Sequence, residues 1–362
     1  MTPPQTTPHR PDSRRPNNRG ESDYPARIAE IADALHNWRG PVVIATHTDP
    51  DGDALGSALT LKRALLQLGK RTLLPLTPPR YLAFLAEPGE LSEPLTALPE
   101  GALVAVLDVE VGARLAGVPV ADTAVVGAAL TVVVDHHGTN NRAGDLVCVE
   151  PDRAATAHMV KDILDALPVT WTAELATPCL TGLLTDTGNF RFGNTTPEVL
   201  HAAGELISHG VAYARLTDRL QWRHPDYFRM LGKVMSTVTF PLGGLAAVAE
   251  ITQAMRAEVG PTDDDSNDYV GLIRYAEGAV VALFLREEPS DDGRPKTKVS
   301  VRAREGVSAQ AVCVALGGGG HVAAAGATVR ATLAETRAAA LAAVRAELER
   351  AGYTVPEEGA AI

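Results

Sequence analysis

Pro41-Val-Val-Ile-Ala-Thr46 runs straight into His47-Thr-Asp-Pro-Asp51-Gly-Asp53, and the segment that follows, 54–68, carries its apolar residues at helical spacing. A short apolar run, a tight turn and then a helix is how a βαβ series opens. Further runs of strand length lie at 72–76, 103–107 and 131–134, separated by segments long enough for crossovers. Together they predict an α/β protein whose first domain is a parallel sheet covered by helices. An amphipathic helix over 24–38 precedes the first strand, and helices are predicted to dominate after 134, over 154–166, 173–184, 197–209 and 212–220. A helical linker at 222–235 then leads to a second, smaller domain over 236–352. There, strand-like stretches at 236–240, 245–251, 280–286, 298–303 and 327–330 mix with helices, and an Ala-rich helix over 332–351 closes the unit. A mixed sheet is expected, with loops at 262–268 and 289–295.

Composition narrows the class. With 362 residues the chain has room for two domains, and 45% hydrophobic against 21% charged residues gives it material for real cores. Residues 1–23 are the exception: rich in Pro, Asn, Thr and Arg and poor in large apolar side chains, they are expected to stay disordered, and 353–362 to form a flexible tail. The formal charge of −11 argues against a protein that coats long nucleic acid by counterion release, so an anionic substrate has to be gripped locally. Three scattered cysteines offer neither a disulfide framework nor a zinc knuckle. With no membrane-length apolar run and no signal-peptide core, a cytoplasmic protein without membrane contact is expected.

The His47/Asp51/Asp53 segment sits where a buried strand meets a helix, the place where open α/β sheets bind ligands. Taken alone it reads equally well as an ordinary turn, with Asp53 as N-cap and Asp49 or Asp51 in an Asx-turn. The pattern recurs, however. Asp108 ends the run 103–107, Asp135-His136-His137 ends the run 131–134, and Asp186 ends a strongly apolar helix. Parallel strands would bring these ends together. So many carboxylates with two imidazoles in one cleft carry too much negative charge to coexist without cations, and an N/O donor set suits Mn²⁺, Fe²⁺ or Zn²⁺. A pair of divalent ions in such a cleft points to phosphoester hydrolysis.

These motifs, in this order, with Thr185-Asp186-Thr-Gly and the later Gly317-Gly-Gly-Gly320-His321-x-x-Ala-Ala-Gly326, resemble the DHH phosphoesterase superfamily with its DHH-associated C-terminal domain. The likeness runs from about Ile28 to Val329, and the Thr-Asp-Thr-Gly-x-Phe element is similar to the branch of nano-RNases and pAp phosphatases. The resemblance implies a catalytic domain over 24–221 and a substrate-binding domain over 236–352. It implies that His47, Asp51 and Asp108 hold one metal and that Asp53, Asp108, His136 and Asp186 hold the other, with Asp108 bridging. Asp135 would orient a ligating imidazole and His137 would face the scissile phosphate. Mn²⁺ is the ion the resemblance suggests, with Mg²⁺ or another divalent ion as the alternative. Gly317, Gly318, Gly319 and Gly320 would cradle a phosphate or nucleotide through their backbone, with His321 beside them. Arg302 matches the family's phosphate-contacting arginine, although Ala303 stands where a serine often follows; Arg191 is a weaker candidate for substrate contact.

The implied activity is cleavage of oligoribonucleotides of two to five residues to mononucleotides, with pAp 3′-phosphatase activity besides. Linear pApA or cyclic di-AMP is the near rival. A single-strand DNA exonuclease is disfavoured because no additional oligonucleotide-binding domain is apparent, and aromatic residues are too few, at 4%, for a long stacking groove. The Gly-rich element argues against a family-II pyrophosphatase, and the complete donor set against a nucleotide-binding regulator without turnover. The residues leave open whether the chain is a monomer or a homodimer. The remaining histidines, His9, His36, His158, His201, His209 and His224, read as ordinary core or surface residues.

Overall fold

The computed structural model describes residues 23–260, 267–290 and 293–356; residues 1–22, most of the loop expected at 262–268, the middle of that at 289–295 and the end of the C-terminal tail lie outside them. The chain divides into two units between Leu220 and Gln221.

In the first unit, α1 (Tyr24–Asn37), β1 (Val42–Ala45), α2 (Gly52–Gln67), β2 (Thr72–Leu73) and β3 (Leu103–Leu107) follow in order. A two-stranded ribbon, β4 (Val120–Ala121) and β5 (Ala124–Val125), precedes β6 (Leu130–Asp135), β7 (Leu146–Val149) and helices α3 (Thr156–Asp165), α4 (Ala173–Asp186), α5 (Pro197–Ser208) and α6 (Tyr213–Gln221). The sheet has the order β2-β1-β3-β6-β7, with every pairing parallel. Alternation along each strand sorts the two faces. Val42, Ile44, Leu103, Ala105, Leu107, Val132 and Val134 pack under α1 to α4. The opposite residues, including Val43, Ala45, Val104, Val106 and Val133, pack under Val109, Val111, Leu115, Val118 and Val125. Among the described residues, the sheet is therefore covered by helices on one face only. The expectation of helical crossovers fails between β3 and β6, where an irregular stretch and the β4–β5 ribbon supply the apolar cover.

Other differences have local causes. The strand expected at 72–76 stops after Leu73, and Pro75, which has no N–H to donate, makes only an isolated bridge to Ser92. The edge strand β7 lies between the run 131–134 and the helix expected at 154–166, where the sequence predicts no element, because four residues on a sheet edge leave too short a pattern to read. Helix α4 keeps Pro178 in its interior while packing closely on α2. A Cβ at Gly56 would lie 2.3 Å from the Pro178 carbonyl oxygen, and one at Gly182 would lie 2.5 Å from Ala157 Cβ and 2.6 Å from Asp53 Oδ1. Only glycines let these helices come so near.

The second unit contains α7 (Pro225–Met235), β8 (Ala246–Ile251), α8 (Gln253–Val259), α9 (Asn267–Ile273), β9 (Val281–Glu287), β10 (Thr297–Ala303), α10 (Ala309–Ala315), β11 (Gly319–Gly320), β12 (Ala324–Val329) and α11 (Leu333–Arg350). Its sheet, ordered β11-β12-β10-β9-β8, is mixed, with β8 and β9 parallel and the rest antiparallel. Val281, Leu283 and Leu285 face α10 and α11, whereas Ala282 and Phe284 face α7 and α9. Helix α7, assigned from the sequence to a linker, belongs to this core through buried Tyr227, Met230 and Val234. The strand expected at 236–240 is reduced to a bridge between Thr239 and Val248. The part of the C-terminal tail that is described, 353–356, is packed: Tyr353 and Val355 lie against the core, and Tyr353 Oη donates to the Glu305 carbonyl at 3.1 Å. All three cysteines are free and buried, and no helix among the described residues is long and apolar enough to cross a membrane.

The α2–α4 approach gives a direct test. Gly56→Ala forces a methyl onto a backbone carbonyl and should destabilise the protein by about 1–3 kcal/mol in urea denaturation. Gly204→Ala, in α5 with open space where the methyl would go, should be neutral or stabilising by up to about 1 kcal/mol.

Candidate metal centre

Strands β1, β3 and β6 are neighbours, and their register aligns Ala45 with Val106 and Leu107 with Val134. Their C-terminal ends therefore emerge side by side, carrying His47, Asp108 and Asp135-His136-His137. Asp108 adopts a left-handed backbone conformation, φ 63°, which Asp tolerates better than most residues and which turns its carboxylate into the cleft. Helix α2 starts immediately after β1. Asp51 is its N-cap, Oδ1 accepting the amides of Asp53 and Ala54 at 3.0 Å each, so the cap is Asp51 and Asp53 stands inside the first turn. The closely packed α4 ends on Asp186 and delivers it to the same cleft.

These side chains converge. His47 Nε2 lies 3.6 Å from Asp108 Oδ2 and 3.9 Å from Asp51 Oδ1. His136 Nε2 lies 3.1 Å from Asp186 Oδ2, 3.5 Å from Asp108 Oδ1 and 3.9 Å from Asp53 Oδ2. The two oxygens of Asp108 thus face different imidazoles. His47 with Asp51 and Asp108, and Asp53 with His136 and Asp186, each present one donor atom within 4.8 Å of the others, spacing suited to a single ion. A third set, Asp108, His136 and His137, meets the same distance but uses His137 Nδ1. That nitrogen is 2.7 Å from Asp135 Oδ1 and carries the proton of that bond, so it is a poor ligand.

The other ring nitrogens settle the tautomers. His47 Nδ1 is 2.8 Å from the Thr48 carbonyl and His136 Nδ1 is 3.2 Å from the Arg153 carbonyl. A carbonyl only accepts, so each Nδ1 carries a proton and each Nε2 faces the carboxylates, as in metal-ligating histidines. Asp135 supports a different ring from the one expected. It holds His137, through the ring and through the His137 amide at 3.0 Å, and not a ligating imidazole. Asn140 Nδ2 fixes its other oxygen at 2.6 Å. His137, 32% exposed, stands at the open side of the cluster.

Charge crowding governs protonation here. Burial, then the neighbouring Asp186 carboxylate, pushes Asp53 up to about 8. Asp108 is raised well above the usual range by burial and then by Asp53, and Asp186 is raised by burial and then by Asp51. Burial acts to lower His136, but the Asp186 hydrogen bond and charge, with Asp53 and Asp135, outweigh it and lift the ring to about 9. For Asp135, burial is outweighed by the bonds from His137 and Asn140, which leave it below its usual value. Carboxylates that rise and an imidazole that stays protonated are what a cation-binding cleft shows when protons take the place of metal. The donor set fits divalent metal ions.

The second unit places its candidate residues at one end of its sheet. Arg302 pairs with Ala324, and Gly320 with Ala325, so only β12 separates them. Arg302 is half-buried, and Gly319, Gly320 and His321 are exposed. The glycine run has packing duties first. A Cβ at Gly318 would meet the Gly326 carbonyl oxygen at 2.2 Å, and Gly317 and Gly320 have φ of 78° and 137°. The amides of Gly317, Gly318 and His321 are spent on the carbonyls of Val314, Cys313 and Ala324, so a backbone cradle in this run cannot draw on those three. In the first unit, Arg191 is exposed in the loop after α4, its Nε donating to the Gly188 carbonyl at 2.7 Å. Sequence reasoning missed Asn140, signalled only by its place three residues past the His pair, and Thr156, whose hydroxyl reaches Asp108.

Comparison with known proteins places the chain in a family. A model of the N-terminal domain of the DHH family matches residues 41–183, and the DHHA1 domain matches 246–350. The chain is 52% identical over 337 residues, 93% of this chain and 99% of the relative, to the bifunctional oligoribonuclease and PAP phosphatase NrnA of Thermus thermophilus. It is 28% identical to the Bacillus subtilis protein of the same name, over 80% of this chain and 89% of that one. Among solved structures, an exopolyphosphatase-related protein from Bacteroides fragilis superposes with a TM-score of 0.79 at 20% identity, over 91% of this chain and 98% of that one, which supports the fold.

Protonation and metal binding should compete. Below about pH 8 Asp53 holds a proton that an ion must displace, and His136 must lose one as well, so Mn²⁺ affinity should rise with pH and binding should release on the order of one proton per ion. Calorimetry in buffers of differing ionisation enthalpy measures both; affinity independent of pH, without proton release, would contradict the crowding. The two matching domains, in order along one chain, and the 52% likeness across nearly all of it make this protein a member of the DHH family with a C-terminal DHHA1 domain.

Proposed function

We propose that the protein is a metal-dependent phosphodiesterase that degrades short oligoribonucleotides, of about two to five residues, to mononucleotides and also removes the 3′-phosphate of pAp. The observation that carries the reading is the 52% identity, extending over both domains, to a protein named for these two activities. The buried acid and imidazole cluster supports it, since phosphoester hydrolysis is the chemistry such donors serve.

In this reading His47, Asp51 and Asp108 hold one divalent ion, and Asp53, Asp108, His136 and Asp186 hold the second, with Mn²⁺ the preferred metal. Bound there, such a pair activates a water and stabilises the attacking and leaving oxygens of an in-line displacement. The residues of the chain do the remainder. Asp108 divides its oxygens between the two half-sites, each proton on Nδ1 of His47 and His136 keeps Nε2 turned inward, and the α2 N-terminus steadies Asp51. His137, its Nδ1–H held by Asp135, presents the far edge of its ring at the open side, where a phosphate oxygen can accept a proton or a hydrogen bond. In the second domain Arg302 offers a planar fork to a terminal phosphate, beside the exposed Gly319, Gly320 and His321. The protein works in the cytoplasm.

Three experiments test this. With Mn²⁺, 5′-labelled RNA of two, five and twenty-four nucleotides is compared with pAp and cyclic di-AMP; fast loss of the two shorter RNAs and of pAp is expected, and preference for cyclic di-AMP would overturn the substrate. Asp108→Ala should lose metal and fall below about a tenth of wild-type turnover, a larger loss than supporting residues give. Arg302→Ala should raise KM by about tenfold or more while bound metal is unchanged, as expected for a lost charged contact; loss of metal would remove Arg302 from the substrate role.

A further inference from the structure

Helix α3 begins without a cap of its own: Ala155 stands at the N-cap and has no side chain to offer. The orphan amides are satisfied from another helix. Asp53, on α2, accepts the Thr156 amide on Oδ2 at 2.6 Å and the Ala157 amide on Oδ1 at 2.7 Å. Thr156, fully buried, also donates its hydroxyl to Asp108 Oδ1 at 2.9 Å. One residue therefore holds a carboxylate from α2 with its backbone and a carboxylate from the end of β3 with its side chain.

We propose that Thr156 is a positioning residue for metal binding, fixing the separation and rotation of the Asp53 and Asp108 carboxylates; the inference rests on the two-ion reading above. Asp108 can serve both half-sites only while Oδ1 stays toward His136 and Oδ2 toward His47, 3.5 and 3.6 Å away. Rotation about the bond to the carboxylate exchanges or misaligns these oxygens, and the Thr156 hydroxyl is the donor that pins Oδ1. The burial of Thr156 leaves no room for bulk water to replace the bond. Its role is exerted through Asp53 and Asp108, and it needs no contact with substrate.

The test is calorimetric Mn²⁺ binding to the full chain as wild type, Thr156→Val and Thr156→Ser, with activity followed across Mn²⁺ concentration. Valine keeps the shape and the amide that holds Asp53 and removes only the donor. The T156V affinity should fall by about 10- to 100-fold, the usual effect of losing a group that orients a ligand. Its turnover should recover at saturating Mn²⁺ with KM for RNA unchanged, which a general loss of stability would not produce. T156S retains the donor and should bind within about threefold of wild type. Wild-type affinity in T156V, or an equal loss in T156S, would overturn the proposal. Should the valine protein fail to fold, Thr156→Ala, which also lacks the donor, is set against T156S: a tenfold or greater loss in T156A with near-normal affinity in T156S supports the hydroxyl role, and equal affinities overturn it. Absence of Mn²⁺ binding in the wild type would instead remove the two-ion reading, and Thr156 with it.

Discussion

Asp53 and Asp108 are buried to within 2% of completeness in a cleft that also contains Asp51 and Asp186, and the rest of the first unit answers to that crowding of negative charge. A carboxylate taken out of water needs donors or a cation. Asp53 receives two backbone amides of α3 and a 3.2 Å bond from Ser57. Asp108 receives the Thr156 hydroxyl, and Asp186 Oδ2 lies 3.1 Å from His136 Nε2. These donors hold the groups in place but do not balance their charge, which is why burial and mutual repulsion raise Asp53, Asp108 and Asp186. The residual demand is electrostatic, and a divalent cation meets it better than protons.

The helices are placed to meet the same constraint. The start of α2 carries both Asp51 and Asp53, the start of α3 donates to Asp53, and the end of α4 brings Asp186. Three termini can converge on one point only if their helices pack closer than side chains usually permit. Gly56 and Gly182 provide that closeness, and the methyl excluded at Gly182 would press on Asp53 itself. Packing and site geometry are therefore one problem here: a change that spreads α2 from α4 also pulls Asp186 away from Asp53. The opposite face of the sheet, free of helices, has no such duty and tolerates irregular cover.

This explains which features could be read from the sequence. The parallel strands β1, β3 and β6 are largely buried, mostly apolar runs, and each is followed by or ends on ionisable residues, so both the sheet and the convergence of His47, Asp108 and His136 were legible. Strands that depend on a neighbour were not: β7 is four residues on an edge, β11 is two glycines, and 236–240 has β-branched residues but makes only a single bridge. Capping was misread at Asp53, because residue type alone cannot decide between Asp51 and Asp53 when both fit the preference. Thr156 and Asn140 were invisible for a related reason. A hydroxyl or amide that serves another residue's carboxylate leaves no periodicity and no ligand spacing, and its partner lies 48 residues away in one case and five in the other.

The glycine run of the second unit shows how a motif can serve the packing of the fold as well as a ligand. The glycines suggested a backbone cradle for a phosphate; Gly317 and Gly318 spend their amides on the end of α10, and the Gly326 carbonyl leaves no space for a Cβ at Gly318. What the tight turn achieves is placement. It lays β11 against β12, and that pairing sets Gly319, Gly320 and His321 on the exposed edge, one strand away from Arg302. The requirement for glycine comes from the fold, whereas the chemistry available to an anion comes from the arginine fork, the histidine and whatever backbone the edge leaves exposed. A substitution at Gly318 and one at Arg302 therefore disturb different things: the first displaces the edge, the second removes a charge from an edge that stays in place.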